Sequence, residues 1–213
     1  AVTHPTADER RILDRARIPF VLIDPAGAPD KRAPSVGASN RNGGHEAAAL
    51  FLEHHHHRFA VVAGDPGSMN SRDRTEGFIS TVNQRFPGLA VPVVHGGWSA
   101  ESSAAPTTHL LRSARRPTAI FACNDNMARG VYRAANSLGL RVPDGLSVIG
   151  FDDLVEAEVA SPPLTTVRQP VADIGGTALR SLLRLRGGDP IRRRIELATE
   201  LIIRGSVADA PVL

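Results

Sequence analysis

From Phe59 onward the sequence alternates a short apolar or β-branched run with a longer stretch of helical spacing, and this rhythm constrains the chain more than any other feature. The runs are Phe59 to Ala63, Val91 to Val94, Thr118 to Cys123 and Leu146 to Phe151. They recur about every thirty residues, the length that a strand and its crossover helix need in a parallel sheet. Between them, Phe78, Ile79, Val82 and Phe86 share one helical face, while Met127, Val131, Ala134 and Leu138 share another that Gly139 ends. Val171, Ile174, Ala178, Leu182 and Leu185 mark a further helix closed by Gly187-Gly188, and Glu196 to Ile203 reads as a last strand. A doubly wound α/β fold accounts for the pattern. The untidy stretch runs from Gly97 to Arg116, where Pro106 removes a helical hydrogen bond and predicts a late helix start or a kink.

Thr6 and Glu9 form a capping box for a helix through about Ala16, followed by a buried strand from Pro19 to Ile23. One strand with one preceding helix does not cover both faces of a parallel sheet. Roughly two further βα units are therefore expected upstream, with an open or foreign-paired sheet edge near Val21.

Composition removes several classes. The 213 residues, 42% of them hydrophobic, suit one large domain or two small ones. Twenty-five basic against 22 acidic residues leave a net charge of only +3, which announces no nucleic-acid surface. Arg192-Arg193-Arg194, between the Gly187-Gly188 turn and an apolar strand, reads as a solvated loop. The single cysteine, Cys123, excludes an internal disulfide, follows an apolar run as a buried strand thiol, and fits the cytoplasm. No stretch approaches the roughly 18 apolar residues of a membrane span, and no secretory layout opens the chain.

Chemistry-bearing motifs are sparse. The run His54-His55-His56-His57 points its side chains to different faces, unlike the i, i+4 pairs of zinc helices, so no metal site is expected. Phosphate-cradling glycine loops and a nucleophile elbow are lacking, so neither a cofactor nor enzymatic activity is expected. Asp152 and Asp153 are adjacent carboxylates at the C-terminal end of a strand, where α/β sheets place their ligands. Acid/base work by this pair is the enzymatic alternative, but no nucleophile or base stands beside it. The plain alternative has one aspartate capping the next helix and the other facing solvent.

Three segments, Ala119-Ile-Phe-Ala-Cys-Asn-Asp-Asn-Met-Ala-Arg-Gly, Gly139-Leu-Arg-Val-Pro-Asp-Gly-Leu-Ser-Val-Ile-Gly-Phe-Asp-Asp and Pro162-Pro-Leu-Thr-Thr-Val-Arg-Gln-Pro, closely resemble the lac repressor (LacI/GalR) family in order and spacing. Arg72-Asp-Arg-Thr-Glu-Gly-Phe and Glu200-Leu-Ile-Ile-Arg-Gly-Ser extend the resemblance over essentially the whole chain. It implies a periplasmic-binding-protein-like core of type I, two parallel-sheet subdomains joined by three crossovers near Ala38, Val167 and Leu197, with an effector in the cleft. Residues 1–38 with 168–196 would form an incomplete N-terminal subdomain, and residues 39–167 with 197–213 the C-terminal one.

The resemblance also implies effector contacts. Arg74, opening the helix after the loop from Gly64 to Ser71, would give two parallel hydrogen bonds to vicinal oxygens; on its own it also reads as a surface helix-start arginine. Asn124 offers an amide that donates and accepts, with helix capping as its plain role unless Asp125 caps instead. Asp152 would accept from two hydroxyls, Asp24 would face it from the other subdomain, and Gln169 would complete a polar ring. Trp98, after Gly96-Gly97, would offer a flat platform to a sugar ring, or else serve as a plain core residue. One departure is Ser39-Asn40 where the family commonly has Asp-Asn, which removes a carboxylate near the first crossover.

The expected function is that of a transcriptional regulator, a repressor core sensing a polar effector, with a carbohydrate favoured over a purine or nucleoside. Operator DNA would be read by a DNA-binding head upstream of this chain, in a homodimer, without membrane contact. A periplasmic sugar-binding protein is the alternative, against which the regulator-type motif Leu164-Thr-Thr-Val-Arg-Gln-Pro argues.

Overall fold

The computed structural model describes residues 6–25, 27 and 33–211. It opens with α1 (Ala7–Arg15), β1 (Leu22–Ile23) and β2 (Ser35–Ala38). Strands and helices then alternate through α2 (Asn40–Glu53), β3 (Phe59–Ala63), α3 (Met69–Arg85), β4 (Val93–His95), α4 (Ala100–Leu111), β5 (Ala119–Ala122), α5 (Asp125–Ser137) and β6 (Ser147–Asp152). The short α6 (Val155–Glu158), β7 (Thr165–Arg168), α7 (Val171–Arg186), β8 (Arg194–Leu197) and β9 (Glu200–Ile202) follow. Two compact units result. The smaller takes Ala1–Ser39, Gly67–Asn70 and Pro170–Ala198; the larger takes Asn40–Pro66, Ser71–Gln169 and Thr199–Leu213.

In the larger unit six strands order as β4-β3-β5-β6-β7-β9, parallel except for β9, which runs antiparallel to β7. Strands β3 and β5 are buried at every residue, as the continuous apolar runs predict for the centre of a parallel sheet. Phe51 of α2, Phe78 and Val82 of α3, and Met127, Val131 and Ala134 of α5 fill the core around them. Phe78 stacks on Phe121 with ring centroids 5.2 Å apart. Each of these side chains larger than alanine contributes about 1.5–3 kcal/mol of transfer free energy. Helices α2 and α3 meet backbone to backbone: a Cβ on Gly44 would collide with the Arg74 carbonyl, and one on Gly77 with the Arg41 carbonyl. This close approach fixes the height of Arg74 over the sheet.

The smaller unit has a three-stranded parallel sheet ordered β1-β2-β8. Its core joins Val36 and Ala38 to Ile174 and Ala178 of α7. Helix α1 carries the expected capping box, with Thr6 and Glu9 bonded reciprocally. Among the described residues β1 pairs only with β2, and Val21 and Ile23 are half-buried.

Several expectations are corrected. Helix α4 starts at once behind the Ser99 cap and continues through Pro106, so its start is not delayed. The hydroxyls of Thr107 and Thr108 bond the carbonyls of Ser103 and Ala104, tying the helix to itself in the two rungs that follow the proline's missing N–H. The strand expected from Pro19 shortens to Leu22–Ile23, the only part with a ladder partner. The single strand expected from Glu196 to Ile203 is two, β8 and β9, lying in different sheets. Arg194 is not loop but opens β8, opposite Ser35. Of the stripe expected on α7, Ile174 and Ala178 are buried, Leu182 and Leu185 are half-buried, and Val171 is exposed.

Candidate functional site

The C-terminal ends of β3, β5, β6 and β7 gather the polar residues of the larger unit, where a parallel sheet leaves its ligand-binding crevice. Arg74, one turn into α3, is buried, with a relative exposure of 3%, so it is not a surface helix-start residue. Its Nε donates to Asn40 Oδ1 at 2.7 Å and its Nη1 to the Cys123 carbonyl at 2.6 Å. The same Nη1 lies 3.3 Å from Asp152 Oδ1, and the guanidinium sits 3.7 Å above the Phe151 ring. A buried cation is thus balanced by one carboxylate, two neutral oxygens and an aromatic face, the combination that makes burial tolerable.

Asp152 receives a second donor, Gln169 Nε2, at 2.6 Å. It ends β6 with φ at +109°, and Asp153 follows at +58°, so two consecutive non-glycine residues occupy left-handed space. Neither caps α6, whose N-cap Leu154 makes no side-chain bond. Asp153 is instead turned to Arg168 Nε and Arg204 Nη2, both at 2.7 Å. Burial alone would raise its pKa; the hydrogen bonds and charges of Arg204 and Arg168 hold it below the usual carboxylate range.

Asn124 is the N-cap of α5, its Oδ1 accepting from the Met127 N–H at 2.7 Å. The amide nitrogen still donates, at 3.4 Å, to the carbonyl of Trp98. Asp125 is therefore not the cap: it is fully buried and accepts from Thr166 Oγ1 at 2.5 Å and from the Leu154 N–H at 2.7 Å. Trp98 is half-buried with φ at +68°, its indole lying over Gly64 at the end of β3, where a Cβ would collide with the ring. Cys123 is buried, and burial raises its thiol pKa.

Five of the six expected contacts, Arg74, Trp98, Asn124, Asp152 and Gln169, thus belong to one unit and are linked by hydrogen bonds in two groups around the Cys123-Asn124 backbone. The sixth, Asp24, belongs to the smaller unit. It follows β1 with φ at +43° and accepts from Asn70 Nδ2 at 3.1 Å. Sequence reasoning missed Asn40 as the partner of Arg74, although its place beside the altered Ser39 had drawn notice. It also missed the inward turn of Asp125 and the pairing of Asp153 with Arg204.

The histidine run does structural work. His56 is fully buried, its Nδ1 2.8 Å from Thr118 Oγ1 and its Nε2 3.1 Å from both Ser147 Oγ and the Ala208 carbonyl. Burial pushes its pKa down to about 4. His54 Nδ1 is 2.8 Å from Asp209 Oδ1, so two of the four histidines hold the C-terminal segment against the unit.

A parallel sheet with polar groups converging at its carboxyl edge, in a chain that also carries a second, small parallel sheet, defines a periplasmic-binding-protein-like ligand-binding core. The chain belongs to the periplasmic binding protein-like domain family, whose profile matches residues 48–207, and within it to the effector-binding cores of the lac repressor (LacI/GalR) type. It is 35% identical over 97% of its length to the HTH-type transcriptional regulator MalR of Streptomyces coelicolor, and it spans 61% of that protein. A LacI family transcriptional regulator from Enterococcus faecium with bound ribose superposes with a TM-score of 0.86 at 27% identity, covering 96% of this chain and 76% of that one. The CelR–cellobiose complex gives the same TM-score at 30% identity, covering 96% of this chain and 64% of the other. Among the described residues no helix is long and apolar enough to cross a membrane.

Proposed function

We propose that this chain is the sensing core of a transcriptional repressor and that it binds a polyhydroxylated effector, a sugar, through Arg74, Trp98, Asn124, Asp152 and Gln169. Asp24 joins the proposal on the family resemblance. The observation that carries it is Asp152: a carboxylate with one oxygen already held by Arg74 and Gln169, at the carboxyl edge of the sheet, is oriented in advance to accept from vicinal hydroxyls. Trp98 adds a flat apolar face suited to a sugar ring. Two similar structures, one with bound ribose and one a complex with cellobiose, support the ligand class. Effector binding would bias the conformational equilibrium of the core, and a DNA-binding head elsewhere in the full-length cytoplasmic homodimer would read that bias at its operator. The regulator-type match with MalR favours this over a transport-system binding protein.

Calorimetric titration of the full-length protein with ribose, cellobiose and a panel of other mono- and disaccharides, with nucleobases alongside, tests the ligand class. Saturable binding of a sugar that Asp152→Ala abolishes is expected. Binding only to nucleobases, or sugar binding indifferent to Asp152, would overturn the proposal.

A further inference from the structure

The strained turn at Asp152 needs something to hold it. Two successive non-glycine residues at φ +109° and +58° are strained and persist only where their surroundings hold them. Asp153 is drawn toward Arg168 and Arg204, which explains where the turn's side chain goes. The backbone that leaves the turn is fastened elsewhere. The Leu154 N–H, first after the strained pair, donates to Asp125 Oδ2 at 2.7 Å. The other carboxylate oxygen of Asp125 accepts from Thr166 on β7, the strand beside β6. Gly150 leaves that carboxylate its space, since a Cβ there would collide with Asp125 Oδ1. One buried side chain on α5 therefore ties the exit of the turn to the neighbouring strand.

We propose that Asp125 is a positioning residue for effector recognition: its carboxylate clamps the Asp152-Asp153-Leu154 turn in its left-handed conformation, so that Asp152 presents its carboxylate to the effector. This rests on Asp152 being an effector contact, as argued above. The clamp is sensitive to protonation. Burial pushes the pKa of Asp125 up to about 7, the Thr166 hydroxyl and the Leu154 N–H pull it down, and Asp152 and Asp153 raise it further. The charged groups around it are those two aspartates with their partners Arg74, Arg168 and Arg204; Tyr132, on α5 itself, is coupled to it as well. The ionised form accepts both hydrogen bonds, whereas the protonated form gives up part of one of them.

The test uses the full-length protein labelled with ¹⁵N-leucine, followed by amide NMR against pH, together with calorimetry using ribose and cellobiose as probes. In the wild type the Leu154 amide resonance should titrate with a midpoint near pH 7. In Asp125→Asn that titration should vanish with the fold retained, and affinity for the sugar that binds the wild type should fall by about tenfold or more, the worth of one such hydrogen bond. Should Asp125→Asn not fold, Thr166→Val leaves the carboxylate in place, removes a donor that favours its ionised form, and should raise the Leu154 midpoint. A Leu154 resonance indifferent to pH, or a sugar affinity unchanged in a variant whose Leu154 resonance has moved, would overturn the proposal. If no sugar of the panel binds the wild type, the effector reading fails on its own, while the amide titration still decides whether Asp125 clamps the turn.

Discussion

Arg74→Met removes the cation on which the site's geometry turns while keeping much of its volume. The arginine is buried and donates to Asn40, to the Cys123 carbonyl and to Asp152, with its guanidinium over Phe151. Methionine fills the channel with an unbranched apolar chain, so the cavity term is small. The loss comes from stranded partners. Asp152 keeps Gln169, but the Cys123 carbonyl and the Asn40 amide lose a charged donor inside the protein. Removing one member of a buried pair costs about 3–5 kcal/mol, a large fraction of the roughly 5–15 kcal/mol that stabilises a domain. Arg74→Lys keeps the charge but cannot reach three acceptors from one rigid fork, so its loss should fall between the wild type and Arg74→Met. Urea unfolding followed by circular dichroism checks this: the midpoint should shift down with the slope unchanged. An unfolding free energy for Arg74→Met within about 0.5 kcal/mol of wild type, the usual scatter of surface substitutions, would refute the buried network.

His56 makes stability fall in acid. Its folded-state pKa of about 4 lies below the ordinary value near 6.5, so the unfolded chain binds more protons in that window. Stability from this residue is full above about pH 6.5 and drops as the pH falls toward 4, by up to about 3 kcal/mol; urea midpoints measured at pH 7, 5.5 and 4.5 should show it, and His56→Gln should flatten that slope. Gly77→Ala gains helix propensity of about 1 kcal/mol but forces α3 away from the Arg41 carbonyl. The net effect should be a loss of about 1–3 kcal/mol by thermal unfolding, with weakened sugar binding because Arg74 moves with its helix.

How much of this was legible in the sequence depended on where the deciding partner lay. The strands β3, β5 and β6 were plain because both faces are buried and the apolar runs are unbroken. The break between β8 and β9 was not, since Ala198-Thr199 interrupts neither composition nor β propensity; only the assignment of each half to a different sheet separates them. Val171 and Leu182 share a spacing with Ile174 and Ala178, yet the smaller unit's core reaches only the latter two. Arg74, Asn124 and Asp152 were recognised through motifs, whereas their physical state was not. That Asn124 caps α5 and Asp125 turns inward is settled by Thr166 and Leu154, far along the chain, and local capping preferences rank the two residues alike. Asn40 offered no signal beyond its neighbour, because its role exists only once α2 and α3 are packed together.

The most direct measurement is a crystal structure of the full-length protein with its bound sugar. Ligand hydroxyls should lie within hydrogen-bond distance of the Asp152 carboxylate and the Arg74 guanidinium, with one sugar face against the Trp98 indole. A sugar bound elsewhere, leaving Asp152 and Arg74 in contact only with each other and with protein groups, would contradict the assignment of this site.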